Sequence, residues 1–388
     1  MVATLRDIVI VGAGPVGATL ALALADSGLD VVVLDARPPG ELARGDRSLA
    51  LAHGARLILE RLGIWSVLAA TPGAATPIDV IDISQARGFG AATLTATEQR
   101  VPALGYVVSY RALQSSLDAA LVARGVAVQH GVGVRTAGPA TGCAAVETDD
   151  PGTAPLRARL VAIADGTGAA GNGIARRRHD YRQVALVAKV FADAPHRGRA
   201  YERFTPEGPV ALLPEADHYS LVWTATPARA SELLALDAAA FVAALAQHFG
   251  SRVPRLTGVA ERKSFPLVLE FAPQPVAAHC VALGNAAQTL HPVAGQGFNV
   301  GLRDAYELAT LARDTPREAL GEREMLRCYA RSRRHDRWAG IALTHGLVGV
   351  FGNDLALARW PRGLALTLLD VVAPVKRAFT HAMMFGLR

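Results

Sequence analysis

Residues 7–17 read Asp7-Ile-Val-Ile-Val-Gly12-Ala-Gly14-Pro15-Val-Gly17. The β-branched run predicts a short strand buried in a parallel sheet, and a Gly-x-Gly-x-x-Gly turn follows it at once. From Ala18 to Ser27 the chain is apolar and rich in small residues, which predicts a helix with Gly28 at its end; Val31–Leu34 predicts a second strand ending in Asp35. Gly12 would make the tight turn, Gly14 would let backbone approach a ligand, and Gly17 would let the helix lie close on the strand. The helix N-terminus then offers free N–H groups and a positive dipole to a pyrophosphate, and the Asp35 carboxylate can accept from a ribose hydroxyl. Strand, turn, helix and terminal acid together predict a dinucleotide site. Spacing alone does not separate NAD from FAD.

The chain outside this unit is long enough for a second core: 388 residues, 51% hydrophobic and 19% charged. The net charge of +6 is carried by arginine, with lysine only at Lys189, Lys263 and Lys376. The clusters Arg176-Arg177-Arg178-His179 and Arg331–Arg337 have no stacking aromatics interleaved, so they read as solvated faces or anion contacts, and nucleic acid is not an expected partner. Cys143, Cys280 and Cys328 are isolated, which argues against a disulfide framework and fits a reducing cytoplasm; no His, Cys or carboxylate cluster has metal-ligand spacing, so no metal is expected. The apolar stretch from Ile8 to Ala25 is broken by Gly12, Gly14, Pro15 and Gly17, which excludes it as a membrane span.

Two downstream segments bear on the cofactor. Leu160–Ala164 predicts a strand ending in the pair Asp165-Gly166, and Val281–Leu283 predicts another running into Gly284-Asn285. After it, Ala286–Gly301 carries Ala-Ala-Gln-Thr-Leu-His291-Pro292-Val-Ala-Gly295-Gln296-Gly297-Phe298-Asn299-Val-Gly. These segments, with Gly12–Gly17, match the three-fingerprint pattern of the flavin-dependent aromatic hydroxylases. Asp46-Arg47-Ser-Leu-Ala-Leu51 and Leu62-Gly63-Ile-Trp65 resemble the ubiquinone-biosynthesis hydroxylases of that class; Asn at position 285, where Asp is usual, is similar to the 2-polyprenyl-6-methoxyphenol hydroxylases among them. The resemblance continues through Arg203-Phe204-Thr205, Gly208-Pro209 and Phe265-Pro266-Leu267 and covers essentially the whole chain. The sequence departs from the pattern in two places: the run after Asp165-Gly166 lacks a Ser-x-x-Arg continuation, and His345 stands where many members carry an acid.

The resemblance implies an FAD cofactor, NAD(P)H as transient reductant, O₂ as co-substrate, and a polyprenyl (methoxy)phenol or other aromatic compound as substrate. It implies an FAD-dependent monooxygenase acting in ubiquinone biosynthesis, alongside other proteins of that route. Cofactor contacts are implied for Gly12, Gly14, Pro15, Gly17, Asp35, Asp165, Gly166, Gly284, Asn285, Pro292, Gly295, Gln296, Gly297, Phe298 and Asn299, with Arg47 and Arg111 as phosphate or flavin-gate arginines. His291 and Arg47 are the catalytic candidates; His291 reads equally as a turn histidine satisfied by backbone, and Arg111 as a surface arginine. Amides at the start of the helix expected over Phe298–Leu311 could face the pyrimidine edge of a flavin and stabilise its anionic reduced form.

The expected fold is α/β: a Rossmann-like FAD-binding domain of the aromatic-hydroxylase type (1–75, 106–180 and 277–325), an inserted, mostly antiparallel β substrate domain (76–105 and 181–276), and a helical C-terminus (326–388). Tyr201, Phe204 and Trp223 read as core aromatics or as pocket lining. In the C-terminal region, Glu322–Arg337 predicts a basic helix, followed by the separate apolar stretches Trp338–Phe351, Leu364–Val372 and Val375–Phe385. Trp338, Trp360, Phe379 and Met383-Met384 read either as a surface for peripheral membrane contact or for a partner, which would place a cytoplasmic protein on the inner face of the membrane, or as part of a C-terminal helix pair packed on the core.

Overall fold

The computed structural model describes residues 5–41, 47–86, 88–166, 168, 172–351 and 356–387, so Asp46 and residues 167 and 169–171, in the run after Asp165-Gly166, lie outside the described residues. The β-branched run becomes the strand Leu5–Val11, with parallel partners on both edges: Leu156–Ile163 and Val31–Asp35. Cys280–Ala282 extends the sheet beyond the first of these and Ala127–His130 beyond the second. Such a sheet is buried on both faces, which is why the run is apolar without alternation. One face, bearing Ile8, Ile10, Val33 and Leu160, packs on the helices Pro15–Leu24, Tyr110–Ala123 and Gln296–Asp314. The other, bearing Val9, Val11, Val32 and Val161, is covered by the antiparallel pair Val134–Ala140 and Cys143–Thr148.

The second sheet runs Gln288–Thr289, Leu256–Phe271, Arg177–Ala192, His218–Ala225, Gly208–Glu215, Arg199–Thr205, Val80–Gln85 and Ala91–Thr95. It is antiparallel as expected, apart from the parallel pairing of Arg199–Thr205 with Val80–Gln85. One face packs on the helices Pro227–Ala235 and Ala238–Phe249, and Trp223 belongs to that core: it is 1% exposed and edge-on to Phe241. Tyr201 belongs to the same core, edge-on to Phe249, whereas Phe204 reaches the cleft on the opposite side, stacked on Phe351. A small antiparallel sheet, Ser48–Ala52, Gly105–Ser109 and Ala75–Ile78, joins the two halves.

The C-terminal region departs from the sequence reading. Arg323–Phe351 is one helix of 29 residues, because Gly340, Gly346 and Gly349 interrupt it without breaking it; Gly340 lies against Val300 and Leu290 at a separation a methyl group would fill. Ala356–Val371 and Ala373–Phe385 follow, with Pro374 in the first turn of the last helix, where its missing N–H costs nothing. Met384 is buried, and Phe379 and Met383 are half-buried in the wall of the cleft, so they do not form an external surface. The amphipathic last helix turns that side onto strands and helices ahead of it in the chain, which leaves the exposed apolar face to Trp360, Leu364, Leu368 and Val371. No helix among the described residues is long and apolar enough to cross a membrane.

Candidate active site

The glycine turn closes as its geometry requires. Gly12 has φ +98°, and a Cβ there would sit 2.8 Å from the Ala164 carbonyl oxygen, so no other residue fits. At Gly17 a Cβ would lie 1.9 Å from the Gly12 oxygen: this glycine is a packing contact behind the turn and does not line the cleft. Gly14 is the reverse case, with nothing within 4 Å of its virtual Cβ. It stands at the start of Pro15–Leu24, a helix with no side-chain cap and no acid in its first turn. The first-turn amides of Val16 and Gly17 therefore have no intrahelical acceptor.

Asp35 ends its strand beside this turn. Its Oδ2 accepts from the Ala13 amide at 2.7 Å, and its Oδ1 accepts from the Arg37 amide at 2.7 Å and from Arg37 Nε at 3.1 Å. Arg37 Nη2 and Gln114 Nε2 both donate to the Ala13 carbonyl, at 3.2 and 2.9 Å. Asp35 thus braces the turn and presents Arg37 to the cleft that both residues line.

The third fingerprint makes a second uncapped helix start. Gly295, at φ +59°, precedes Gln296–Asp314, and no side chain caps that helix. Asn299 holds it against the strand Ser48–Ala52: its Nδ2 donates to the Ala50 and Gly295 carbonyls at 2.9 and 2.7 Å, and its Oδ1 accepts from the Ala52 amide at 2.8 Å. Both amide hydrogens are therefore used on backbone, which makes Asn299 a brace of the cleft wall. Arg47, just before that strand, stacks 4.5 Å over the ring of Tyr110. Arg111, the next residue after Tyr110, is exposed and lies off the cleft wall.

His291 is 1% exposed. Its Nδ1 accepts from the Val293 amide at 3.2 Å, which puts the hydrogen of the neutral ring on Nε2, and Nε2 has no partner among the described residues. Burial pushes its pKa down to about 4. Asp165 Oδ1 accepts from the Gly168 amide at 2.7 Å, and the Asn285 carbonyl accepts from Arg176 Nη2 at 3.1 Å.

These parts meet in one cavity of about 940 Å³, near the top of the range for ligand pockets of roughly 300–1,000 Å³. Gly12, Gly14, Pro15, Asp35, Arg47, Asp165, Gly166, Gly284 and Asn285 line it, as do His291, Pro292, Gly295, Gln296, Gly297, Phe298 and Asn299. Of the expected site residues, Gly17 and Arg111 stay outside. Its remaining wall is apolar, built from Ile81, Ile83, Leu94, Phe204, Phe351 and Leu366 of the second sheet and the C-terminal helices. Two unsatisfied helix starts, open space above Gly14, and an unpartnered buried donor at His291 fit a bound dinucleotide with a ring system lying toward the apolar end.

The FAD binding domain family matches residues 6–342. The chain belongs to this family. Ubiquinone hydroxylase UbiL of Rhodospirillum rubrum is 36% identical over 391 residues, covering 97% of this chain and 89% of that protein. The 3-demethoxyubiquinol 3-hydroxylase of Escherichia coli is 30% identical, with 96% of each chain covered. This kinship places the flavoprotein among the ubiquinone-biosynthesis hydroxylases, as its motifs implied. Its fold matches that of p-nitrophenol 4-monooxygenase PnpA from Pseudomonas putida DLL-E4 with a TM-score of 0.76 at 18% identity, over 100% of both chains. It also matches Klebsiella pneumoniae HpxO complexed with FAD and uric acid, with a TM-score of 0.74 at 18% identity, over 98% of this chain and 97% of that one.

Sequence reading missed what fixes the flavoprotein's third fingerprint in place. Arg333, expected on a solvated face or at an anion, is buried: its Nε donates to Asp304 at 2.7 Å and its Nη2 pairs with Asp336. Arg303 donates to Asp336 at 2.7 Å, and Gln288 donates to Asp304 at 2.8 Å while accepting from Arg337 at 2.6 Å. The network ties Gln296–Asp314 to Arg323–Phe351 and to the strand before His291. The arginine cluster is therefore split, with Arg333 and Arg337 inward and Arg331 and Arg334 outward. A spacing of three or four residues between charges on one helix would have hinted at this, but the partners belong to other elements.

Proposed function

We propose that this chain is an FAD-dependent monooxygenase that hydroxylates the aromatic ring of a polyprenyl (methoxy)phenol in ubiquinone biosynthesis. The observation that carries this is the single cavity in which two uncapped helix N-termini open into an apolar chamber. FAD, when bound, would supply the redox chemistry by which two electrons from NAD(P)H and one O₂ give a hydroxyl on the ring and one molecule of water.

The protein's part is binding, orientation and exclusion of water. The first-turn amide of Val16 would hold the pyrophosphate, with the Asp35–Arg37 pair at the ribose. The first-turn amides of Gln296, Gly297 and Phe298 would stabilise negative charge on the flavin ring without a lysine. His291, neutral at physiological pH, donates from Nε2 to an oxygen of the flavin or the substrate. It cannot serve as a base there, because Nδ1 is already occupied by the Val293 amide. Ile83, Phe204, Phe351 and Leu366 keep the chamber dry, which favours transfer of oxygen to the ring over its release as hydrogen peroxide.

A polyprenyl substrate resides in lipid, and the apolar face left outside by the last helices suits peripheral membrane contact there. Trp360 is 74% exposed, and Leu364, Leu368 and Val371 follow it down the same helix.

The test is purified holoenzyme given NADH or NADPH, O₂ and a short-chain polyprenyl phenol. The reading requires a flavin spectrum and substrate-stimulated reductant oxidation with a hydroxylated product. Hydroxylation of a different aromatic substrate or ring position would shift the assignment within the same chemistry. Bound flavin with no turnover would leave a flavin-binding scaffold.

A further inference from the structure

Among the described residues three carboxylates line the cavity: Asp35, Asp165 and Glu202. The first two stand at or just beyond the ends of parallel strands, where backbone amides hold them: Ala13 and Arg37 donate to Asp35, and Gly168 donates to Asp165. Glu202 stands elsewhere. It lies inside the strand Arg199–Thr205 of the second sheet, and the dinucleotide fingerprints do not include it.

Strand geometry fixes the direction of this side chain. Tyr201 alternates to the far face, where it packs in the helix-covered core, so Ala200, Glu202 and Phe204 share the chamber face, and all three line the cavity. Register puts Ile83 on one side of Glu202 and Ala211 on the other, and these two line the cavity as well. The carboxylate thus rises from a floor of apolar side chains, half-buried, with the short neighbours Ala200 and Ala211 leaving it open to the chamber. A carboxylate in such surroundings costs free energy unless donors meet it. Glu202 already has an interaction partner in the protein. A carboxylate offers about four acceptor sites, so a ligand's O–H can be met there as well.

We propose that Glu202 recognises the phenol hydroxyl of the substrate. The O–H donates to the Glu202 carboxylate while the ring rests among Ile83, Phe204 and Ala211. Ligand pockets are mostly apolar, and a few placed polar groups fix the orientation of what they hold. Here the cavity offers oxygen substituents of the ring an acceptor at Glu202 and a donor at His291 Nε2. The bond to Glu202 is charge-assisted, and it serves the chemistry too: attack on the ring by an electrophilic oxygen leaves positive charge on the phenol oxygen, which the carboxylate counters. The compound selected is therefore a ring with a free hydroxyl. An aryl methyl ether, having no O–H, leaves the acceptor unmet. The proposal deepens the flavin-monooxygenase reading and rests on it.

The test uses the FAD-loaded enzyme and two compounds, a short-chain prenyl phenol and its methyl ether. Their Kd values are measured by isothermal titration calorimetry, and their hydroxylation is followed with NAD(P)H and O₂. Wild type should bind the phenol roughly 10–150-fold more tightly than the ether, the worth of one hydrogen bond to a charged group. E202A should bind the two within about threefold of each other, because it loses the bond to the phenol and has none to the ether to lose. E202Q keeps a carbonyl acceptor of the same shape without the charge, so its ratio should fall between. A merely structural role would weaken both compounds alike and leave the ratio unchanged. Equal Kd values in wild type, or an undiminished ratio in E202A, would overturn the role of Glu202 while leaving the flavoenzyme reading intact. Should E202A fail to load FAD, an undiminished ratio in E202Q would overturn it in the same way. A wild-type holoenzyme that hydroxylates neither compound would overturn that reading, and the proposal with it.

Discussion

The Val293 amide donates to Nδ1 of His291 at 3.2 Å, and this one contact decides what the histidine can do in the cavity. With Nδ1 occupied and the ring buried, the imidazole is a neutral donor whose pKa is pushed down to about 4. Replacing His291 by Ala should leave FAD bound and lower the hydroxylation rate by about 10–150-fold, the worth of roughly 1.5–3 kcal/mol for one hydrogen bond to a charged or polarised oxygen. Over pH 5.5–8 the wild-type rate should show no inflection from this group. An imidazole NMR titration placing the pKa of His291 near 6.5 would refute the neutral-donor role.

Gly14 and Gly17 separate binding from folding. The virtual Cβ of Gly14 meets nothing within 4 Å, so G14A should melt at the wild-type temperature without cofactor yet hold FAD at least tenfold more weakly. At Gly17 a Cβ would strike the Gly12 oxygen, so G17A should lower the melting temperature of the cofactor-free protein itself. Differential scanning calorimetry with and without FAD distinguishes the two.

Asp336 carries the buried network. Burial pushes its carboxyl up, but the Arg303 and Arg333 guanidiniums outweigh that and hold it below the usual carboxylate range. Its folded pKa is thus below its unfolded one, so the stabilisation is complete above about pH 4–5 and is lost as pH falls through the folded value. D336N should cost about 3–5 kcal/mol at neutral pH, because it leaves Arg303 without its counter-charge and Arg333 with Asp304 alone. The deficit relative to wild type should shrink on acidification, as followed by urea unfolding at a series of pH values.

The exposed stripe on Ala356–Val371 makes a separate prediction. Wild-type protein should float with liposomes, and a W360S/L364S/L368S variant should remain at the bottom of the gradient while keeping its activity toward a short-chain, water-dispersed phenol. No flotation of the wild type, with or without anionic lipid, would remove membrane contact from the account.

The parts of the site that were legible in the sequence are those whose physics is local. The strand, turn and helix around Gly12–Gly17 declare themselves because β-branching, left-handed φ and close helix packing are demands on consecutive residues. The same holds for Gly295 at the start of its helix. Arg37 escaped notice, although it is two residues from Asp35, since nothing in the spacing says that a guanidinium will fold back on the carboxylate. Arg333 and Arg337 could not be placed because their partners Asp304 and Gln288 are 29 and 49 positions away, and a basic run looks the same in sequence whether it faces water or a buried acid. Phe379 and Met383 read both ways in the sequence for a related reason: hydrophobic spacing marks an apolar helix face without saying whether protein or lipid covers it.

The central claim is that the apolar chamber beside the two helix starts is where an oxygen atom is transferred to an aromatic ring. Mass spectrometry of the product formed by FAD-loaded enzyme with NAD(P)H and a short-chain polyprenyl phenol under ¹⁸O₂ tests it directly. The account predicts one ¹⁸O in a new ring hydroxyl for each NAD(P)H consumed. Reductant consumption that yields only labelled hydrogen peroxide, or a hydroxyl carrying oxygen from water, would contradict it.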